Sequence, residues 1–263
     1  QGRLGQFFVV HDVNGSLVRF KGAPLDTFTN NIRAGKLNDI PVSWSGGFFD
    51  VSDAHISNGY RNRTMNVTAL ANPHVTNATV VRSTSMAFAT TSCYNPVFDN
   101  PSVRWCLNDH TAGGLGYAFA DFCSEGLRIN NMHAKSVRSG FTNGHGFLAP
   151  GSTDWNGYGR PNNTIISASS AEACNTGFGA HTSGTNLLID NCFVKDAMFA
   201  VGLRGQGNMV SNLKAVNISN SVVRIFDEGN GQSFGHTVDG INAENVLNVI
   251  EFFLNVSSES PTY

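Results

Sequence analysis

The sequence predicts an all-β protein, a single-stranded right-handed parallel β-helix, on three observations. The composition favours turns and short strands, with 28 glycines and only 14% charged residues, where soluble domains carry about 25%. A short pattern recurs along the chain: apolar, any residue, Asn or Gly, apolar, any residue, apolar. Its apolar positions alternate with period two around a turn residue, which an amphipathic helix does not do.

In order along the chain, residues 1–39 read as a lead-in, an N-terminal coil or a cap. Residues 40–255 read as coils, and 256–263 as an exit segment of one domain. Gln1 is not an initiator Met, so the chain reads as processed or as a fragment of a longer one. The pattern appears as "WSGGFF" from Trp44, "VTNATV" from Val75 and "INNMHA" from Ile129. It continues as "ISASSA" from Ile166, in "LLIDNCFV" (187–194) and "MVSNLKA" (209–215), and as "VDGINA" from Val238. The anchors Trp44, Val75, Ile129, Ile166, Ile189, Val210 and Val238 are separated by 31, 54, 37, 23, 21 and 28 residues. A floor near 22 with irregular insertions is the signature of stacked coils. The interval of 54 has room for two coils, one of them near "SVRWCLND" (102–109).

Two residues past each anchor stand Gly46, Asn77, Asn131, Ala168, Asn191, Asn212 and Gly240. Asn and Gly tolerate the left-handed backbone region, where other residues pay about 1–2 kcal/mol. A tight bend between strands is therefore expected at that column, with Ala168 the exception. The flanking columns run Gly47, Ala78, Met132, Ser169, Cys192, Leu213, Ile241 and then Phe49, Val80, Ala134, Ala171, Val194, Ala215, Ala243. Mostly apolar, they should stack like on like inside a tube whose coils pair in parallel about 4.8 Å apart. Five cysteines without Cys-x-x-Cys spacing read as small buried apolar residues rather than as a disulfide or metal set. Asn-x-Ser/Thr triplets at Asn62, Asn66, Asn77 and Asn217 are what so much Asn and Thr yields by chance.

The stretch "NLLIDNCFVKDAMFAVGLRGQGNMVSNLKAVNISNS" (186–221) resembles two consecutive coils of phage tailspike β-helices, the endorhamnosidases and capsule depolymerases. "GFGAHTSGTNLLIDNC" (177–192) and "WSGGFFD" (44–50) resemble phage depolymerase and appendage sequences as well. The resemblance covers about the last 140 residues. It implies a virion-tail or extracellular homotrimer that binds, and depolymerises, a bacterial surface polysaccharide such as capsule or O-antigen. A glycoside hydrolase is favoured over a lyase, and no cofactor is implied. Where the endorhamnosidase family would place its carboxylates stand Thr176 and Gly179, so that active site does not carry over. A non-catalytic adhesin or structural appendage is the alternative. A secreted cellular polysaccharide lyase or hydrolase is the third reading.

The triplet Gly144-His145-Gly146 is similar to a catalytic signature of polygalacturonases. That family also needs an upstream Asn-Thr-Asp and an Asp pair, and a downstream Arg-Ile-Lys. Here "CNTG" (174–177) follows the triplet and lacks the Asp, no Asp-Asp pair exists, and "VRIF" (223–226) lacks the Lys. The triplet reads as a turn, with His145 kept as a substrate-binding candidate. No acidic cluster of the kind that holds calcium in pectate lyases falls in the registered coils, so no metal site is expected.

Two insertions, 146–162 and 227–236, leave corresponding strand ends, and His181 and Arg204 occupy the same corner between them. In solenoids, insertions at one corner line a binding face. The first offers Asp154, Trp155, Tyr158 and Arg160: rings to cover sugar faces, and charged groups to bond hydroxyls or acidic sugars. Each has a plainer reading. Trp155 pins its own loop, His181 caps a turn, and Arg204 is a solvated charge or a subunit contact. Glycoside hydrolysis needs two carboxylates. The intrachain candidates are Asp154 with Glu228 or Asp227, whose loops start three coils apart, about 14 Å at the strand spacing. Asp227 and Glu228 are strand neighbours that point to opposite faces, so at most one enters a cleft.

A net charge of −2 offers no basic surface for nucleic acid. No apolar run approaches the roughly 18 residues of a membrane span, so membrane insertion is not expected.

Overall fold

A computed structural model describes residues 9–21, 36–51, 63–108, 115–144, 160–181, 184–227 and 233–254. A hairpin of β1 (Val9–Asn14) and β2 (Leu17–Lys21) pairs antiparallel. All seventeen strands that follow pair in parallel within one continuous sheet. That sheet winds as a right-handed parallel β-helix with three faces.

The first coil holds β3 (Ser43–Ser45), β4 (Phe48–Asp50) and β5 (Arg63–Thr68). The second holds β6 (His74–Thr76), β7 (Thr79–Ser83) and β8 (Met86–Thr91), and the third β9 (Val97–Asp99), β10 (Ser102–Cys106) and β11 (Tyr117–Phe122). From the fourth coil onward the second and third faces share one strand. The fourth pairs β12 (Arg128–Asn130) with β13 (His133–Gly144), the fifth β14 (Ile165–Ser167) with β15 (Ser170–Gly179), and the sixth β16 (Leu188–Asp190) with β17 (Phe193–Leu203). The last two described coils are each a single strand, β18 (Met209–Asp227) and β19 (Thr237–Leu254).

The registers follow the expected columns. Val80 pairs Val103, which pairs Ala134, then Ala171, Val194, Ala215 and Ala243. Most of these side chains are fully buried, and Phe49, Ile241 and Ala243 at the ends are half-buried against the core. The interval of 54 does hold two coils: Phe98 divides it into 23 and 31 residues. "SVRWC" is the second strand of that extra coil, and its bend residue is Asn100.

Every expected bend residue takes a positive φ: Gly46 77°, Asn77 54°, Asn131 54°, Ala168 50°, Asn191 51°, Asn212 51° and Gly240 63°. The amides then bond along the axis. Asn131 Nδ2 donates to Asn100 Oδ1 at 2.8 Å, and Asn100 Nδ2 to Asn77 Oδ1 at 2.9 Å. This side-chain ladder gives Asn an advantage over Gly at a position both can adopt.

Inside the tube, Phe88, Phe119, Phe141 and Phe178 occupy one column on neighbouring coils, all fully buried. Phe98 meets Phe119 edge-on at 4.8 Å, locking the first face to the third. All five cysteines are buried and unbridged, and burial pushes the thiols of Cys106, Cys174 and Cys192 up to about 12. They pack as small apolar residues, as their spacing suggests.

Candidate functional site

The third face positions the corner from which the two insertions leave. Its registers run Thr142 to Gly179 to Gly202 to Arg224 to Glu251. Strand alternation turns Val201, Val223 and Leu203 into the core and leaves the intervening residues on the outer side. The adjacent outer column holds Gly144, His181, Arg204, Phe226 and Phe253, by extension of the same registers. β13 ends at Gly144 and β18 at Asp227, three coils apart and on the same corner.

His145, Asp154, Trp155, Tyr158 and Glu228 lie outside the described residues, and of Asp227 only the backbone is described, paired with Leu254. Arg160 is half-buried where the chain re-enters the stack beside Pro161, whose carbonyl accepts the Thr185 N–H at 3.0 Å. His181 is half-buried; its N–H donates to Asn143 Oδ1 at 2.9 Å and its carbonyl accepts from Gly184 N at 2.8 Å. Its backbone therefore holds the turn. Arg204 donates Nε–H to Ala180 O at 3.1 Å and lies over the Phe226 ring, 4.5 Å from its centroid. That pins the side chain along the corner.

A cluster that the repeat register did not reveal lies beside these residues. The Arg224 guanidinium has Phe253, Phe199 and Phe226 around it, at 4.4, 4.9 and 5.2 Å from their ring centroids. Its Nε lies 3.4 Å from Glu251 Oε2, which also accepts the Ser221 hydroxyl at 2.6 Å. Toward the fifth coil the floor is nearly bare, because Gly179 and Gly202 contribute no side chain. A Cβ on Gly202 would sit 3.3 Å from the Phe226 ring, so a side chain there would press on the cluster. The signal that finds this cluster is the outward alternation of the long strands, read beyond the six-residue repeat.

Chemically, the face offers aromatic edges, two arginines and one carboxylate above a shallow floor. Among the described side chains on the outer side of the third face, Glu251 is the carboxylate. The other described acid side chain of this face, Asp121, is fully buried on its inner side, accepts from Thr90 Oγ1 at 2.8 Å, and is pushed up to about 6 by burial. No group of three or more His, Cys, Asp or Glu side chains among the described residues is placed to hold a metal ion.

No protein-family model and no curated protein matches the chain. Among solved structures, the tailspike protein gp49 of Pseudomonas phage LKA1 is 14% identical, with a TM-score of 0.57; the match covers 100% of this chain and 54% of that one. The chain thus spans about half the length of that tailspike. The surface protein and adhesin PfbA of Streptococcus pneumoniae is 12% identical over 88% of this chain and 80% of its own, with a TM-score of 0.48. Endo-xylogalacturonan hydrolase of Aspergillus tubingensis is 11% identical over 84% and 76%, with a TM-score of 0.39. The tailspike likeness agrees with the registers above: this chain is built as a right-handed parallel β-helix of the kind found in that phage protein.

Proposed function

We propose that this chain is the β-helix of a phage tailspike or appendage that binds a bacterial surface polysaccharide on the outer side of its third face and hydrolyses it. The observation that carries the reading is the corner itself. Both insertions leave corresponding strand ends, and between them lie His181, Arg204 and the aromatic cluster around Arg224. The catalytic pair is Asp154 with Glu228 or Asp227, with Trp155, Tyr158, Arg160 and His145 as substrate contacts. The setting is a virion tail or the cell exterior, and the assembly a homotrimer. Exposed Leu247 and Phe252 on β19, each 72% accessible, give a subunit partner apolar surface to cover.

The test is release of reducing ends from a panel of capsular and O-antigen polysaccharides. Asp154→Asn and Glu228→Gln should each lower cleavage by several orders of magnitude while binding survives, because the amides keep shape but neither donate the proton nor attack. Trp155→Ala should leave the acids in place and weaken binding by about 1–3 kcal/mol. Unchanged activity in both acid variants sinks the pair. A monomer by light scattering sinks the trimer.

One observation favours a second reading, a non-catalytic adhesin of the same architecture: Glu251 stands without a second described carboxylate on the outer side of that face. Tight binding without any new reducing ends selects it.

A further inference from the structure

Arg224 is held in a way that a simple surface charge does not require. Phe199 comes from the preceding coil, Phe226 from its own strand and Phe253 from the following coil. Their rings cover a guanidinium whose side chain is only 22% exposed. Nε is shut off from solvent without a hydrogen bond and lies against Glu251. Glu251 is in turn oriented by Ser221. The guanidinium is thus held among rings from three successive coils, with its Nε turned toward Glu251. Ordering costs are met before any ligand arrives, which is where preorganisation adds affinity.

Resting on the glycan-binding reading above, we infer that Arg224 is the anchor of a subsite for a carboxylate-bearing sugar, a uronic or nonulosonic acid unit of an acidic polysaccharide. A guanidinium fork matches a carboxylate in two parallel N–H···O bonds, a fit that an ammonium group lacks. The phenyl rings offer apolar surface to the C–H face of a pyranose. Gly202 and Gly179 leave the adjoining floor open to a neighbouring sugar unit. Glu251 meets the guanidinium on its Nε side, where its Oε2 also accepts from Ser221.

The experiment measures binding of the intact chain to extracted capsular and O-antigen polysaccharides, each in native and carboxyl-reduced form. The variants are Arg224→Gln, Arg224→Lys and, as a control on the second face, Lys195→Gln. Native acidic polysaccharide should be retained, and its carboxyl-reduced form bound at least about tenfold more weakly. Arg224→Lys should lose nearly as much as Arg224→Gln, since charge without the fork is not enough. Lys195→Gln should bind as the parent does. If carboxyl reduction leaves binding unchanged, the acidic subsite is wrong and the glycan reading stands. If no polysaccharide of the panel is bound in either form, the glycan reading fails and takes the subsite with it. Should the Arg224 variants melt early, the native and reduced pair on the unaltered protein decides alone.

Discussion

Asp121 and Asn143 are register partners on neighbouring coils, both buried, and each keeps one polar atom without a hydrogen-bond partner: Oδ2 of the acid and Nδ2 of the amide. Burial is the largest influence on the Asp121 carboxyl and raises it from 3.8 to about 6, against the lowering effect of Ser124 and Thr90. The folded protein therefore holds this proton more tightly than the unfolded chain. Its contribution to stability is complete below about pH 4 and is lost as pH rises toward about 6. At about 1.4 kcal/mol per unit, the loss is on the order of 3 kcal/mol. Melting of the parent and of Asp121→Asn from pH 4 to 8 checks this. The parent should fall relative to the variant across that window, and parallel curves would refute the assignment.

Ala168 sits at φ 50° in a column otherwise filled by Asn and Gly. Ala168→Asn removes the left-handed penalty, about 1 kcal/mol, and offers an amide between Asn131 and Asn191. For a chain of this size that corresponds to a rise in melting temperature of about 2–4 °C. A lower melting temperature would show that the ladder has no room for the amide.

Gly177 has no need of positive φ; its constraint is space. A Cβ there would meet the Ala200 carbonyl oxygen at 2.6 Å and Val194 Cγ2 at 2.6 Å. Because one of the two is backbone, Gly177→Ala should destabilise by about 3 kcal/mol, the upper range for overpacking. Chemical denaturation at neutral pH measures it, and an unchanged midpoint would contradict the close approach.

Leu213 is fully buried and pairs with Ile241 of the next coil, while the following residue, Lys214, donates its N–H to Cys192 O at 2.9 Å. Leu213→Asp should prevent folding, since an unpaired buried carboxylate costs a large part of a typical 5–15 kcal/mol stability, and the neutral form still fills the site badly. Soluble protein with the parent's melting temperature would place this side chain outside the core.

The first bend was legible because its physics selects residue type. A left-handed residue that also bonds along the axis is best met by Asn, and Asn77, Asn131, Asn191 and Asn212 stand there. The third coil, expected near 102–109, had no anchor in the six-residue register because Pro101 fills its apolar slot. Proline is tolerated there because the N–H of that column stays off the backbone ladder: in the next coil Met132 N donates to Ser169 Oγ at 3.0 Å. The second bend was invisible. Arg82, Trp105, Ser136, Ala173 and Asp196 all take φ between 50° and 65° there, with no shared chemistry until Asn217 and Asn245. Tertiary pairing imposes that conformation on residues that do not favour it. The Arg224 cluster was hidden for a related reason. Its members meet only across three successive coils of unequal length, so no fixed spacing links Phe199, Arg224 and Phe253.

The ladders have a mechanical consequence. Their hydrogen bonds run along the axis of the stack, so an axial pull loads all the bonds of one coil boundary together. Compression closes the same bonds instead of shearing them. A rod built this way transmits thrust with little bending, and its weakest joint under tension is the boundary with the fewest paired residues. The boundary between β18 and β19, paired from Met209 with Thr237 through Asp227 with Leu254, is among the longest described. The boundaries between the fourth and fifth coils and between the fifth and sixth pair over fewer residues, so under tension rupture should begin there.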